Sequence, residues 1–365
     1  MARPKFHDLK VKQIRRETED CISVNFEVPN QLALDYQYLP GQYLTLRTTI
    51  HGEDVRRSYS ICSMPGDGEL RVAIKELAGG VFSSWVAREL KAGDSLQVMT
   101  PTGNFTTEIS AETKKNFLFL AAGSGITPVI SIIKSVLAAS SGSEVTLIYG
   151  NRFFNSIIFR EELENLKDEY LGKFRVFHVL SGEPNEIPMF HGRIDAEKLE
   201  AFSTSFVNFS ELDEIFLCGP AEMIHAGKSF AEAKGVPADH IHFELFFTPG
   251  KDAPPPTTSK VVKAAATTKG EVCSVSVIFD GQQTNFTMPF DGEAVLDAAQ
   301  REGLDIPFSC KGGMCCTCKA KIIEGEVEMD VNYALEPGEV EAGFVLTCQS
   351  HPRSNRLVVD YDANN

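Results

Sequence analysis

Four cysteines near the carboxyl end have the spacing of an iron–sulfur site. Cys310, Cys315 and Cys318 follow the pattern C-x4-C-x2-C, and Cys348 follows some thirty residues later. Four thiolates at this spacing are typical of plant-type [2Fe–2S] clusters. The glycine pair at 312–313 supports this interpretation, because a loop around a cluster brings backbone N–H groups close to sulfur.

Zinc binding and disulfide formation are the other uses of such cysteines. Structural zinc sites usually combine two separate C-x2-C or Cys/His pairs, and only Cys315 and Cys318 form such a pair. Disulfides are not expected in a chain without a secretion signal. Cys316 lies within the motif but off the ligand spacing, so we interpret it as a small loop residue. The remaining cysteines outside the motif, apart from Cys218, are predicted to be ordinary buried strand residues: Cys21, Cys62 and Cys273.

A one-electron cluster requires a group that divides the electron pair of a nicotinamide hydride, and a flavin is the usual one. Arg57-Ser58-Tyr59-Ser60 supplies suitable side chains on a predicted strand. The arginine can pair with a phosphate, the tyrosine offers a flat face to a ring, and the serine offers a hydroxyl. The alternative is that the tetrapeptide is only strand surface.

Gly80-Val81-Phe82-Ser83 opens a predicted helix about twenty residues later. A helix start presents free N–H groups and a positive dipole end, which suits a pyrophosphate. Simple capping by Ser83 is the alternative. Lys75, at the end of the preceding strand, is also predicted to contact the cofactor.

A second glycine turn, Gly123-Ser124-Gly125-Ile126-Thr127-Pro128, lies between a continuous apolar strand and a helix. This is the context of a dinucleotide fingerprint, although the third glycine is missing. Arg152, at the end of the next strand, and Arg160 favour the 2′-phosphate of NADPH over NADH. A solvated strand-end arginine is the alternative.

Cys218-Gly219-Pro220 lies at the carboxyl end of a later predicted strand, where doubly wound sheets place their ligand crevice. A thiol is small enough to lie beside a nicotinamide ring without blocking hydride transfer. A buried strand cysteine is the alternative, and position alone favours it.

The elements that must position these residues change in character along the chain. Residues 1–108 alternate short strands and turns, which predicts an antiparallel β-barrel flavin domain. Residues 109–247 have a βαβ rhythm, which predicts an α/β doubly wound nucleotide domain. Residues 248–270 are rich in Pro, Thr, Lys and Ala and predict a linker on which the last domain swings. Residues 271–365 predict an α+β β-grasp ferredoxin domain.

Charge and hydropathy exclude some classes of function. The net charge of −15 argues against nucleic acid as a partner. From residue 271 onward the chain has 6 Lys+Arg against 16 Asp+Glu, so this domain is either acidic for solubility or steered towards a basic redox partner. The longest apolar region, 117–139, is interrupted by Gly, Pro and Lys and does not predict a membrane span. Free cysteines without a signal sequence indicate the cytoplasm.

The order of these motifs resembles the ferredoxin–NADP reductase superfamily, in its branch of flavin reductases fused to a plant-type ferredoxin. Gly-Ser-Gly-Ile-Thr-Pro at 123–128, Tyr-Gly-Asn-Arg at 149–152, His-Gly-Arg-Ile-Asp at 191–195 and the domain order carry the resemblance over nearly the whole chain. It implies that NADPH, or NADH, passes a hydride to FAD, which releases electrons singly to the cluster.

The resemblance also implies roles by position. Ser60, Cys218 and Glu244 are the expected catalytic residues, with Cys218 near the hydride path. The expected cofactor contacts are Arg57, Ser58, Tyr59, Ser60, Lys75, Gly80, Val81, Ser83, Gly123, Gly125, Thr127, Arg152, Arg160 and Phe246. The expected metal ligands are Cys310, Cys315, Cys318 and Cys348.

The resemblance implies a separate oxygenase as the electron acceptor. It is greatest to the reductases of di-iron phenylacetyl-CoA epoxidases, in phenylacetate catabolism, and those of Rieske ring- or steroid-hydroxylating oxygenases are the alternative. A redox-sensing or electron-carrying module without NAD(P)H turnover is an alternative of another class.

Overall fold

The computed structural model describes residues 4–246, 259–263 and 272–364. The chain forms two compact units, a larger one built mainly of residues 7–254 and a smaller one built mainly of residues 255–365. Within the described ranges no helix combines the length and the apolar character needed to cross a membrane.

The amino-terminal part of the larger unit is the predicted antiparallel barrel. Its six strands are hydrogen-bonded in the order β4-β3-β6-β1-β2-β5, and a bridge between Ile61 and Val72 joins the two ends. The elements are β1 (Phe6–Thr18), β2 (Cys21–Glu27), β3 (Tyr43–Ile50), β4 (Glu53–Ser60), β5 (Leu70–Lys75), α1 (Val81–Glu89) and β6 (Ser95–Met99).

The sequence does not predict the first strand, β1, because its many charged residues hide the alternation of inward-facing and outward-facing side chains. Leu9 and Val11 are fully buried, whereas Asp8, Lys10 and Lys12 between and beside them are exposed. Side chains of a strand alternate between two faces, so a charged segment can still contribute a row of core residues.

The second part of the larger unit is a five-stranded, all-parallel sheet in the order β11-β10-β7-β8-β9. Its elements are β7 (Asn116–Ala122), α2 (Ile126–Ala139), β8 (Glu144–Asn151), α3 (Arg160–Glu169), β9 (Phe174–Leu180), α4 (Ala196–Ser205), β10 (Glu214–Gly219), α5 (Ala221–Ala233) and β11 (Ile241–Leu245). The doubly wound prediction is confirmed, and β11 is an additional edge strand. The chain order reverses between β7 and β10, so a ligand crevice is expected at their carboxyl ends.

The smaller unit is the predicted β-grasp domain, a mixed sheet in the order β12-β15-β18-β13-β14. Its elements are β12 (Ser259–Lys263), β13 (Val272–Phe279), β14 (Gln282–Pro289), α6 (Val295–Arg301), β15 (Lys319–Met329), α7 (Pro337–Glu341), β16 (Phe344–Leu346), β17 (Ser350–Pro352) and β18 (Arg356–Asp360). Helix α6 buries Val295, Leu296, Ala298 and Ala299 in the core.

The segment predicted as a linker, 248–270, differs from a plain linker in one respect. Its residues 259–263 form β12, which pairs antiparallel with β15. The rest of the predicted linker lies outside the described residues, so the predicted swing of the domain stays a prediction. Backbone pairing does not require the hydrophobic periodicity on which the linker prediction depended.

Candidate functional site

The four predicted ligand cysteines come together as two pairs. The Sγ atoms of Cys310 and Cys315 are 3.3 Å apart, and this contact, together with burial, raises the pKa of Cys315, while the same contact lowers that of Cys310. Cys318 and Cys348 form the second pair. The hydrogen bond between their thiols raises the pKa of Cys318 and lowers that of Cys348. Two thiol pairs match the two irons of a [2Fe–2S] cluster.

The arrangement also separates the iron–sulfur and zinc interpretations. Among the residues described, no three His, Cys, Asp or Glu side chains are placed to hold a single metal ion. A structural zinc ion needs four ligands around one centre. The two thiol pairs fit a two-iron cluster, in which each iron takes two thiolates.

The backbone around these sulfurs is tightly positioned. Gly313 has φ +72°, and a Cβ added there would lie 2.8 Å from Cγ2 of Val331. The Gly312 N–H donates to Sγ of Cys310 at 3.4 Å. Gln349, which the motif did not indicate, donates from Nε2 to the carbonyl of Lys311 at 2.9 Å and so connects the two ends of the ligand set. These contacts fit the expected N–H environment of a cluster.

The predicted flavin tetrapeptide ends β4. Arg57 is exposed, Ser58 and Tyr59 are half-buried, and Ser60 is buried. The Tyr59 ring lies 5.8 Å from the Phe82 ring. An exposed arginine beside an aromatic face and a shielded hydroxyl can serve a phosphate and a planar ring.

The first glycine turn leads into α1 as predicted. Gly80 is the N-cap, and a Cβ there would lie 2.5 Å from Oγ of Ser83. Ser83 does not cap the helix, because its Oγ accepts from the Leu77 N–H at 3.2 Å and no side-chain cap bond is formed. Val81 is half exposed at this end. The capping alternative is thus disfavoured, and the helix start offers N–H groups to an anion.

Lys75 ends β5 and forms an ion pair with Asp20 at 3.3 Å. Its predicted contact with a cofactor stays a prediction.

The second glycine turn lies at the carboxyl end of β7. Gly123 has φ +53°, and a Cβ on Gly125 would lie 2.1 Å from the carbonyl oxygen of Cys218. The Thr127 Oγ1 donates to the carbonyl of Ser124 at 2.9 Å. Glycine is thus required where the turn touches β10, and the predicted residues of the turn meet the predicted cysteine.

The next strand, β8, ends at Asn151, and two arginines follow it. The Arg152 guanidinium lies 5.0 Å from the ring centre of Phe153, and that of Arg160 lies 4.6 Å from the ring centre of Phe154. Both phenylalanine rings are partly exposed. Cations stacked on exposed rings could bind a phosphate beside a planar base, since the stacking orients the guanidinium.

Cys218 and Glu244 are register neighbours at the carboxyl ends of β10 and β11. Cys218 is fully buried, and burial, followed by the Glu244 charge, raises the pKa of its thiol well above the usual value. Burial also raises the pKa of Glu244 to about 8. Within the described structure the Glu244 Oε2 is buried without a hydrogen-bond partner. A carboxyl group that is neutral at pH 7 can give or accept a proton there.

The segment just after the flavin strand shares an apolar core with this crevice. Cys62, two residues beyond Ser60, is buried in the cluster that includes Cys218, and Phe246 packs against the same cluster. The Ser131 Oγ of α2 donates to the carbonyl of Ser63 at 2.6 Å. The segment that follows Ser60 therefore packs in the same core as Cys218, whose register neighbour is Glu244. Cys21 and Cys273 are buried strand residues, as predicted.

A cleft of about 770 Å³, lined in part by Arg160, lies between β1, β5, α2 and α3. Arg71 there binds Glu162 at 2.9 Å and Glu69 at 3.1 Å, and Lys134 binds Glu162 at 2.8 Å. Although burial opposes ionisation of Glu162, the two cations hold its pKa below the usual value. The charges of these four residues are thus paired with one another, which indicates a structural role for them.

Comparison with known families divides the chain in the same way. Residues 8–107 match the oxidoreductase FAD-binding domain, residues 119–228 the oxidoreductase NAD-binding domain, and residues 277–353 the 2Fe-2S iron-sulfur cluster binding domain. The matched ranges contain, respectively, the tetrapeptide on β4, the glycine turn after β7 and all four ligand cysteines.

Similar proteins of known function span the whole chain. One subunit of the 1,2-phenylacetyl-CoA epoxidase of Escherichia coli K12 is 42% identical over 98% of this chain and 98% of its own length. The ferredoxin reductase component of the 3-ketosteroid-9-alpha-monooxygenase of Rhodococcus rhodochrous is 33% identical over 97% of this chain and 96% of its own.

A solved structure shows the same fold. Phthalate dioxygenase reductase, described as a modular structure for electron transfer from pyridine nucleotides to [2Fe–2S], aligns with a TM-score of 0.59. The alignment covers 97% of this chain and 98% of that one at 23% identity.

Proposed function

Because the chain belongs to the ferredoxin reductase-type family of oxygenase reductase components, we propose that it is the reductase subunit of a phenylacetyl-CoA epoxidase system. It is an NAD(P)H-dependent oxidoreductase that uses FAD and a [2Fe–2S] cluster. The observation that carries the choice of partner is the 42% identity, along 98% of both chains, to the Escherichia coli epoxidase component.

The bound groups supply hydride donation, the change from two-electron to one-electron transfer, and one-electron delivery. The chain's own residues hold and shield them. Arg57, Ser58, Tyr59 and Ser60 would hold the flavin, and the buried Ser60 would offer its hydroxyl to the ring. Gly80, Val81 and Ser83 would hold the pyrophosphate of FAD at the α1 helix start.

The crevice at β7 and β10 would receive the nicotinamide nucleotide on Gly123, Gly125 and Thr127. Cys218 would then form a small, uncharged wall beside the ring, since burial raises the pKa of its thiol and keeps it protonated. Glu244 would hold a proton next to it without placing a charge in the crevice at neutral pH. Phe246, packed on the same core, would exclude water.

The pair Arg152 and Arg160 would select NADPH through its 2′-phosphate. Their stacking on Phe153 and Phe154 supports this proposal, because it places two cations beside exposed flat faces that an adenine can cover. The two thiol pairs in the smaller unit would each hold one iron.

The electron acceptor would be a di-iron epoxidase with a basic docking face. The excess of 16 Asp+Glu over 6 Lys+Arg from residue 271 onward supports this, because opposite charge steers association. We place this system in the cytoplasm.

The test is turnover with purified oxygenases. The protein is mixed with epoxidase subunits that act on phenylacetyl-CoA, and NADPH use coupled to product is followed, with ferricyanide as a partner-free acceptor. We expect coupled turnover that weakens with added salt while ferricyanide reduction changes little. Uncoupled oxidation with the epoxidase would reject the proposed partner, and absence of flavin bleaching by NADPH would favour a redox-sensing module.

A second candidate is supply of electrons to a steroid-hydroxylating oxygenase. The 33% identity over 97% of this chain to the 3-ketosteroid-9-alpha-monooxygenase reductase favours it over other oxygenases. Coupled turnover with that oxygenase, exceeding turnover with the epoxidase, would establish it.

A further inference from the structure

Tyr149, in β8, makes a contact that no motif indicated. Its side chain is fully buried, and its hydroxyl donates to the carbonyl oxygen of Gly123 at 2.9 Å. Gly123 is the first residue of the glycine turn and has φ +53°. A residue of one strand end thus holds the turn that follows the neighbouring strand.

The planarity of the peptide bond gives this contact a consequence. In a trans peptide the C=O of one residue and the N–H of the next point in opposite directions. Because the Gly123 carbonyl points to the buried Tyr149 hydroxyl, the Ser124 N–H must point away from that side chain. The Thr127 hydroxyl fixes the following peptide in the same way, by donating to the Ser124 carbonyl at 2.9 Å.

Without such a contact the turn would have alternatives. Glycine adopts positive and negative φ with similar ease, so the Gly123–Ser124 peptide could rotate at little steric cost. On its other side the turn is already fixed, because Gly125 lies against the carbonyl of Cys218. At the flexible end, the Gly123 carbonyl accepts from the Ile126 N–H, and the hydroxyl of Tyr149 adds a second donor that reinforces this orientation. Burial raises the pKa of Tyr149 further above its ordinary value, so the hydroxyl remains a donor.

We propose that Tyr149 is a positioning residue of the nucleotide site, whose hydroxyl aims the Ser124 N–H at the diphosphate of the nicotinamide nucleotide. This inference rests on the proposed function, in which the nucleotide binds at the glycine turn. Tyr149 itself touches no substrate. Its contribution is to keep a donor pre-oriented, which spares the nucleotide the cost of ordering the turn.

The test is Tyr149→Phe, which removes one hydroxyl and keeps the ring. Tyr36→Phe is a matched control, since the buried Tyr36 hydroxyl also donates to a backbone carbonyl, that of Val98 at 2.7 Å, inside the barrel. Both variants should unfold at slightly lower temperature. Only Tyr149→Phe should weaken NADP⁺ binding, by about fivefold, since one hydrogen bond is lost.

Three further readouts separate positioning from general destabilisation. In Tyr149→Phe, KM for NADPH should rise while kcat and the flavin potential stay near wild type. Binding of 2′-AMP, which has no diphosphate, should be unchanged. In the wild-type protein, the Ser124 amide should become protected from hydrogen exchange when NADP⁺ binds.

The proposal is overturned if Tyr149→Phe binds NADP⁺ like Tyr36→Phe, or if the Ser124 amide of the wild-type protein is unaffected by NADP⁺. Because hydrogen exchange is measured on the wild-type protein, an unprotected Ser124 amide overturns the proposal even if Tyr149→Phe does not fold. Failure of the proposed function is a different result, because the wild-type flavin would then not be reduced by NAD(P)H at all.

Discussion

The cluster loop and the nucleotide crevice are built in opposite ways. Three of the four ligand cysteines lie within nine consecutive residues, and a short run of backbone positions them. The crevice is assembled from the carboxyl ends of β7, β8, β10 and β11, whose contributions lie as far apart in the chain as Gly123 and Glu244. One site is mainly a property of local sequence, and the other is a property of the sheet.

This difference predicts how each site fails. Loss of a cluster ligand removes a bond to metal and should not disturb the crevice. In the crevice the essential contacts are between backbones, as at Gly125 and Cys218, or between register neighbours on adjacent strands, as at Cys218 and Glu244. A small change there should affect packing and chemistry together.

The largest effect is expected from Cys318→Ser, which removes a ligand of the buried pair with Cys348. We expect loss of the cluster absorbance and electron paramagnetic resonance signal, because an iron loses a thiolate. Oxygenase-coupled turnover should fall on the order of a hundredfold or more, with flavin reduction by NADPH retained.

Cys316→Ser is the control for this prediction, because Cys316 lies outside both pairs and its Sγ donates to the Ala334 carbonyl at 3.4 Å. It should keep its cluster. Zinc in the wild-type site, or a cluster that survives Cys318→Ser, would contradict the proposal that each thiol pair holds one iron of the cluster.

The next largest effect is expected from Gly125→Ala. The added Cβ would lie 2.1 Å from the Cys218 carbonyl, so β10 and the turn must separate. Overpacking of this kind costs about 1–3 kcal/mol in the free energy of unfolding. Nucleotide affinity should fall with it, as measured by denaturant unfolding and by titration with NADP⁺.

Gly338→Ala is the matched glycine variant in the smaller unit, where an added Cβ meets no atom within 4 Å. It should leave cluster content and nucleotide affinity unchanged. If both variants lowered the free energy of unfolding and the affinity for NADP⁺ equally, the close contact at Gly125 would have no special importance for the crevice.

Arg152→Ala combined with Arg160→Ala tests cofactor choice. Charge-assisted hydrogen bonds contribute about 1.5–3 kcal/mol when shielded, and less at an exposed site such as this one. We therefore expect kcat/KM for NADPH to fall about tenfold and that for NADH to stay nearly constant. A wild-type protein that prefers NADH would show that these arginines have no role in selection.

The smallest effect concerns the proton on Glu244. The pKa of this carboxyl is about 8 in the folded protein and about 4.3 when unfolded. The folded state binds this proton more tightly than the unfolded state does. The contribution of the protonated carboxyl group to the free energy of unfolding is therefore complete below about pH 4.3, and it is lost as the pH rises through about 8.

Glu244→Gln mimics the protonated form and should therefore unfold at a higher temperature than wild type at about pH 9, with the difference vanishing near pH 4. The wild-type rate of flavin reduction should decline severalfold above about pH 8, whereas the variant should be flat. Glu161→Gln, at an exposed position of α3, should follow the wild type in both measurements. A wild-type profile without a transition near pH 8 would show that the charge of Glu244 does not affect flavin reduction.

Most of the architecture could be predicted from the sequence. The strands of the barrel after β1 and the βαβ rhythm of the nucleotide domain appear as hydrophobic periods, which are local. The missed β1 has its core residues masked by charge, and β12 is held by backbone pairing within a segment without apolar periodicity. Both depend on partners that are distant in the chain.

Residue type and spacing by themselves indicated the four candidate sulfur ligands, the two glycine turns and the succession of three domains, because donor chemistry and local periodicity belong to short segments. Only the tertiary structure decided that the sulfurs form two pairs, that Glu244 lies beside Cys218, and that Tyr149 holds Gly123. Those contacts join residues whose proximity arises when separate strands align in one sheet, and no local pattern records that alignment.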